Sequence, residues 1–125
     1  MQRRHELLGF GGSDSLAGLR GDDCLIGGSG YNVMQGGDGN DKLIGGDGTD
    51  VEDAGSGDGL LRGGGGNDIM YGGFGADTMY GGNGSDAMVG GLGNDSMFGE
   101  GGFDALTGDF GFDTCTGELK FSCES

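Results

Sequence analysis

Ten aspartates, Asp14, Asp23, Asp41, Asp50, Asp68, Asp77, Asp86, Asp95, Asp104 and Asp113, stand nine residues apart or a multiple of nine. A carboxylate in a glycine-rich turn can accept hydrogen bonds from local backbone as an ordinary turn former. It can instead give a charged oxygen to a hard cation, which gathers about six to eight such donors. One aspartate would favour the first role, whereas ten in one register favour the second. Catalytic chemistry has less to draw on. His5 is the only histidine and stands outside the repeats, so no Ser/His/Asp or Cys/His arrangement and no histidine-based zinc site can be assembled.

Aspartates so placed need an element that repeats with them. GGDGNDKLI, from Gly36 to Ile44, returns as GGGGNDIMY (Gly63 to Tyr71), GGFGADTMY (Gly72 to Tyr80), GGNGSDAMV (Gly81 to Val89) and GGLGNDSMF (Gly90 to Phe98). Without insertion the frame runs from Gly9 to Thr116, twelve units in all. Its fourth column is Gly in every unit, which predicts a backbone conformation or a close approach that a Cβ would forbid. The sixth column holds the ten aspartates, with Asn32 and Gly59 as exceptions, and the eighth is Leu or Met except at Glu52 and Cys115.

That spacing predicts a short strand over columns seven to nine, its eighth side chain turned one way and its neighbours the other. Helix is excluded by the glycine load, at about 1 kcal/mol per Gly relative to Ala. Each unit is then a turn plus a strand, and two units make one coil. The Leu and Met anchors of alternate units are expected to face each other across a thin core. The fold class is all-β, a solenoid of about twelve turn-plus-strand units.

Composition narrows the partners. Only 33% of the 125 residues are hydrophobic while 36 are Gly, so a conventional globular core is not expected. Collagen is excluded, since Pro is absent and the glycines do not fall at every third position. A net charge of −15 would repel nucleic acid and anionic lipid alike, and a cation is its natural partner. In the absence of that cation, high acidity with little apolar content reads as disorder. Nowhere do eighteen consecutive apolar residues occur, so no membrane span is expected.

With these columns the chain resembles the RTX family, whose calcium-binding repeat is GGxGxDxUx with U a large apolar residue, a pattern the chain follows from Gly9 to Thr116. The resemblance implies a right-handed parallel β-roll with calcium ions between the turns. It also implies that sixth-column aspartates two units apart flank one ion, with backbone carbonyls completing the shell. Asp14, Asn32, Asp50, Asp68, Asp86 and Asp104 then line one edge, and Asp23, Asp41, Gly59, Asp77, Asp95 and Asp113 the other. Six pairs have Asp on both sides: 50 with 68, 68 with 86, 86 with 104, 23 with 41, 77 with 95, and 95 with 113. About six firm calcium sites are expected, and pairs touching Asn32 or Gly59 should bind weakly or not at all.

The implied organisation is an N-terminal flank at 1–8, the roll at 9–116 and a cap at 117–125. The implied function is a calcium-binding module of a secreted bacterial protein that folds on meeting calcium, and not an enzyme. An alternative from another class is a structural or adhesive spacer whose exposed face binds a protein or glycan. Ice binding is disfavoured because the third column, from Gly11 to Phe110, shows no regular rank of Thr or Asn.

Tyr80 with Phe98, and Tyr71 with Val89, fall two units apart in the ninth column. A contiguous patch there would serve self-association or an adjoining domain. The frame is damaged near residues 51–62, where a one-residue shift would make Asp58 a ligand and Leu60 an anchor, with Arg62 left as a bulge. A bridge between Cys115 and Cys123 would fold the tail over the open end of the roll and leave Cys24 unpaired, although three cysteines also allow other pairings or free thiols.

Overall fold

A computed structural model describes residues 4–121 and 123. Its chain winds between two parallel sheets, one taking every odd strand and the other every even strand. The first holds β1 (Glu6–Leu8), β3 (Cys24–Ser29), β5 (Lys42–Asp47), β7 (Leu60–Gly65), β9 (Thr78–Asn83), β11 (Ser96–Gly101) and β13 (Thr114–Thr116), in that order. The second holds β2 (Ser15–Ala17), β4 (Val33–Asp38), β6 (Val51–Ser56), β8 (Ile69–Phe74), β10 (Ala87–Leu92), β12 (Ala105–Phe110) and β14 (Leu119–Phe121). No helix occurs among the described residues, so none is long and apolar enough to cross a membrane. The result is an all-β parallel solenoid.

Register follows the columns. Lys42, Leu43 and Ile44 lie beside Cys24, Leu25 and Ile26 on one side and beside Leu60, Leu61 and Arg62 on the other. Alternate units therefore stack within one sheet, and it is the anchors of consecutive units that face each other across the core, which corrects the expected pairing of faces. The Leu and Met residues of the eighth column from Leu25 to Leu106 form one buried cluster, joined by Ala54 next to the break at Glu52.

The strands are longer than the three residues expected. Most have six, because extended pairing continues through the glycine pair into the third column, as in β5 and β8. Both glycine demands of the fourth column are met at Gly84, where φ is +119° and an added Cβ would strike the Gly66 carbonyl of the previous coil. A turn so close to its neighbour admits no side chain.

No shift occurs at residues 51–62. Glu52 pairs with Met34 and Met70, and Leu61 with Leu43 and Met79, so the nine-residue frame runs straight through. Leu61 is the buried anchor, Leu60 is only half-buried, and Arg62 pairs with Ile44 and Tyr80 instead of bulging. Stacking explains the outcome: a one-residue slip would turn every side chain of β7 to the opposite face.

The frame is kept at a cost. Glu52 is 0% exposed, and neither carboxyl oxygen has a hydrogen-bond partner. Burial pushes its pKa well above the usual range, and the nearby Asp68 and Asp50 charges add to the rise. At the C-terminal end Cys115 and Cys123 are bridged, their Cα atoms 5.9 Å apart, while Cys24 is a free thiol.

Replacing Glu52 by Met would restore the apolar column and remove two unsatisfied buried oxygens. Glu52→Met is expected to stabilise the roll by about 1–3 kcal/mol, seen as a higher denaturant midpoint in saturating calcium. A lower midpoint would mean that Glu52 gains a partner in the loaded roll.

Candidate metal centre

The turns carry columns four to six along the two edges of the roll. Asp23, Asp41, Asp50, Asp68, Asp77, Asp86, Asp95, Asp104 and Asp113 are all buried there at 0–2% exposure, and Asp14 is half-buried. In each intact step one carboxylate oxygen is already used. Oδ1 accepts the backbone N–H of the sixth-column residue one coil earlier, from Asp23 to Asp41 at 2.7 Å, from Asp50 to Asp68 at 2.8 Å and from Asp95 to Asp113 at 2.8 Å.

The other oxygen has no such use. Oδ2 of all ten aspartates is buried without a hydrogen-bond partner. Leaving a buried acceptor unmade costs about 1–3 kcal/mol, and more when it is charged, so ten in one chain call for a common partner. From Asp14 to Asp95 a carbonyl oxygen of the next coil comes close to the same space. A Cβ added to Gly18 would lie 2.6 Å from the Gly36 carbonyl and 2.7 Å from Asp23 Oδ2, and one on Gly72 would lie 2.6 Å from the Gly90 carbonyl and 2.5 Å from Asp77 Oδ2. The first-column glycine thus keeps open a cradle that a side chain would fill.

The two exceptions behave differently. At Asn32 the side-chain nitrogen, standing where Oδ2 would be, points to the Gly30 carbonyl at 3.5 Å while Oδ1 accepts from Asp14 at 3.2 Å. The amide satisfies itself and leaves no orphan. At Gly59 the N–H still donates to Asp77 Oδ1 at 2.6 Å, but Gly59 itself offers no carboxylate to the coil before it. In the same unit the first column is Ala54 instead of Gly, and a Cβ on Gly59 would lie 2.6 Å from the Ala54 methyl. That methyl occupies the carboxylate's space, so the two departures compensate each other.

Asp58 is not a displaced ligand. It is exposed in the fifth column, accepting from Ala76 N–H at 2.9 Å while its own N–H donates to Asn40 Oδ1 at 2.9 Å. Asp22, Asn67 and Asn94 make the same bond one coil on, a second and exposed ladder marked only by the Asn and Asp content of that column. His5 was set outside the repeats, yet it stands in the sixth position of the coil before Asp23. Its N–H donates to Asp23 Oδ1 at 2.6 Å, and its Nδ1 lies 2.8 Å from the same oxygen.

No three His, Cys, Asp or Glu side chains converge among the described residues. A cation here would draw on paired carboxylates and backbone carbonyls, the all-oxygen set that suits calcium and is poor for softer metals. The residues present fit that ion.

A parallel solenoid with orphaned carboxylates spaced along both edges defines a calcium-binding repeat protein. The RTX calcium-binding nonapeptide repeat matches the chain in four copies, at residues 8–30, 21–52, 53–88 and 80–115, and the chain belongs to that family. No curated protein and no solved structure matches it.

Burial sets the protonation of the metal-free edges. It pushes Asp68 and Asp77 up to about 7 and Asp86 to about 6, against the lowering effect of the ladder hydrogen bond and with neighbouring carboxylates adding to the rise. Asp41, Asp50 and Asp95 are raised by the same first cause. A carboxylate whose folded pKa exceeds its unfolded value favours folding below the unfolded pKa, and that contribution fades as pH rises through the folded one.

In chelator, strand circular dichroism should therefore strengthen as pH falls from about 8 to about 5, protons neutralising these oxygens. With calcium present the ions should be released only at lower pH, because a bound cation holds the carboxylates ionised, and a metal-free spectrum insensitive to pH would contradict the assignment. The Ala54 and Gly59 pair makes a separate prediction. Gly59→Asp alone should destabilise the roll and gain no ion, whereas Ala54→Gly with Gly59→Asp should gain up to two, counted by native mass spectrometry. Equal gains in the single and double variants would show that the methyl does not block the site.

Proposed function

We propose that this chain is a module of a secreted bacterial protein that folds when it meets calcium, and that it carries no catalytic centre of its own. The observation that supports this most directly is the set of ten buried Oδ2 atoms without partners. In the metal-free chain those oxygens, a net charge of −15 and a core of one anchor per unit oppose folding together. Six ions at the intact aspartate pairs would bring the formal charge to −3. Metal binding then becomes folding free energy, because the paired oxygens do not exist as a site in the unfolded chain. About millimolar calcium, the range of extracellular modules, would suffice to switch the fold outside a cell. Secretion into such a medium also agrees with the bridge between Cys115 and Cys123.

Shared carboxylates rank the variants. Asp95 belongs to two intact pairs, with Asp77 and with Asp113, while Asp14 is half-buried and pairs only with Asn32. Asp95→Ala should lose up to two ions and raise the calcium midpoint for folding, and Asp14→Ala should change little. Circular dichroism across a calcium titration, paired with calorimetry, measures both. Full strand signal in excess chelator at about pH 8 would overturn calcium-coupled folding, and equal effects of the two substitutions would overturn the pairing.

A further inference from the structure

The sixth-column ladder continues past the point where the sequence frame ends. After Thr116 the frame would place its next sixth position at residue 122, but three features put Glu118 there instead. Leu119 N–H donates to the Asp104 carbonyl at 3.0 Å, the bond that Thr114 makes to Asp95 and Ala105 to Asp86, each at 2.8 Å. Leu119, Lys120 and Phe121 of β14 pair with Ala105, Leu106 and Thr107 of β12, which are columns seven, eight and nine. Asp104 N–H donates to Glu118 Oε2 at 3.3 Å, as Asp86 N–H donates to Asp104 Oδ1 at 2.9 Å. The tail reaches this register four residues early, through a shortened turn at Gly117 that packs over the end of the core. A Cβ there would lie 2.8 Å from Leu106 Cδ1.

We propose that Asp104 and Glu118 form a further calcium site, in which the C-terminal cap supplies a carboxylate that the repeats do not. Asp104 is fully buried and its Oδ2 has no hydrogen-bond partner, so an acceptor already waits on one side of the step. Glu118 stands in the same relation to Asp104 as Asp104 does to Asp86, and its longer side chain makes up for the shorter turn. The bridge from Cys115 to Cys123 spans Glu118 and holds it over the edge. At the opposite end of the roll, on the other edge, His5 presents an imidazole to Asp23, so only the C-terminal end closes with two carboxylates. The added ion would tie the cap to the last coil and make its docking depend on calcium. This rests on the calcium-binding function proposed above.

The test uses the full chain with its bridge intact and calcium as the only added metal. Glu118 is exposed, and Gln keeps an acceptor for the Asp104 N–H, so Glu118→Gln should fold with an unchanged strand signal. Native mass spectrometry at saturating calcium should find it one ion short of the wild type, with hydrogen exchange at 117–121 faster than in the wild type. Asp14→Asn, at the far end of the same edge, should leave exchange at the cap unaltered. Equal ion counts in wild type and Glu118→Gln would overturn the terminal site while leaving the module's function standing. Loss of the whole strand signal in Glu118→Gln would overturn it as well, since one terminal ligand is not needed for the whole fold. A wild type that binds no calcium would overturn both proposals.

Discussion

Everything in this roll depends on a carboxylate that is half satisfied. Oδ1 of every sixth-column aspartate after Asp14 closes a hydrogen bond to the coil before it, which fixes the side chain and holds it inside the turn. Oδ2 is thereby committed to a buried position with no protein donor. A neutral amide resolves the conflict at Asn32 and a proton eases it at Asp68 and Asp77, whose pKa values rise to about 7. A divalent cation resolves it most fully, because one ion can answer orphans from two coils and neutralise both.

The glycines follow from that demand. First-column glycine leaves room for Oδ2 and for a carbonyl of the next coil, while fourth-column glycine lets successive turns lie nearly in contact. The second column also has positive φ but is less strict: Phe10, Leu19, Glu100 and Asp109 adopt φ of 71–79° there. Left-handed backbone alone costs an L-residue roughly 1–2 kcal/mol, which a residue can bear singly. A Cβ at the second-column glycines would also meet a carbonyl of the neighbouring coil, as at Gly46 with the Gly28 carbonyl, so crowding is common to both columns, and the four exceptions sit at a smaller φ than the glycines around them.

The periodic part of the fold was legible in the sequence, because each column maps onto one environment: the eighth onto the core, the sixth onto the buried edge, the fourth onto the close-packed turn. Strand length was less so, since glycine has no side chain to reveal that pairing continues through it. At residues 51–62 the sequence suggested a slip because Glu52 and Gly59 break their columns together. What it concealed was that Ala54, five residues before Gly59, fills the same space, and that pairing on both sides of β6 and β7 outweighs one buried carboxyl. His5 and Glu118 were missed for another reason. Each holds a sixth position outside the twelve units, one with the wrong residue type and the other after a turn four residues short.

The two interruptions stand at different heights, and this makes the roll unequal along its length. One edge is broken at Asn32 and is continuous from Asp50 to Asp104, whereas the other is broken at Gly59 and is continuous from Asp77 to Asp113. From Asp77 onward, intact pairs therefore lie on both edges of the same coils, under a bridged cap. Before Asp50 the proposed pairing leaves only Asp23 with Asp41, on one edge. In a solenoid each coil is stabilised by its neighbours and by little else, so under the proposed pairing the segment with intact aspartate pairs on both edges would be the most stable block once calcium binds. Folding should then start in the C-terminal half and spread toward Glu6, each new coil adding its anchor to a core already formed.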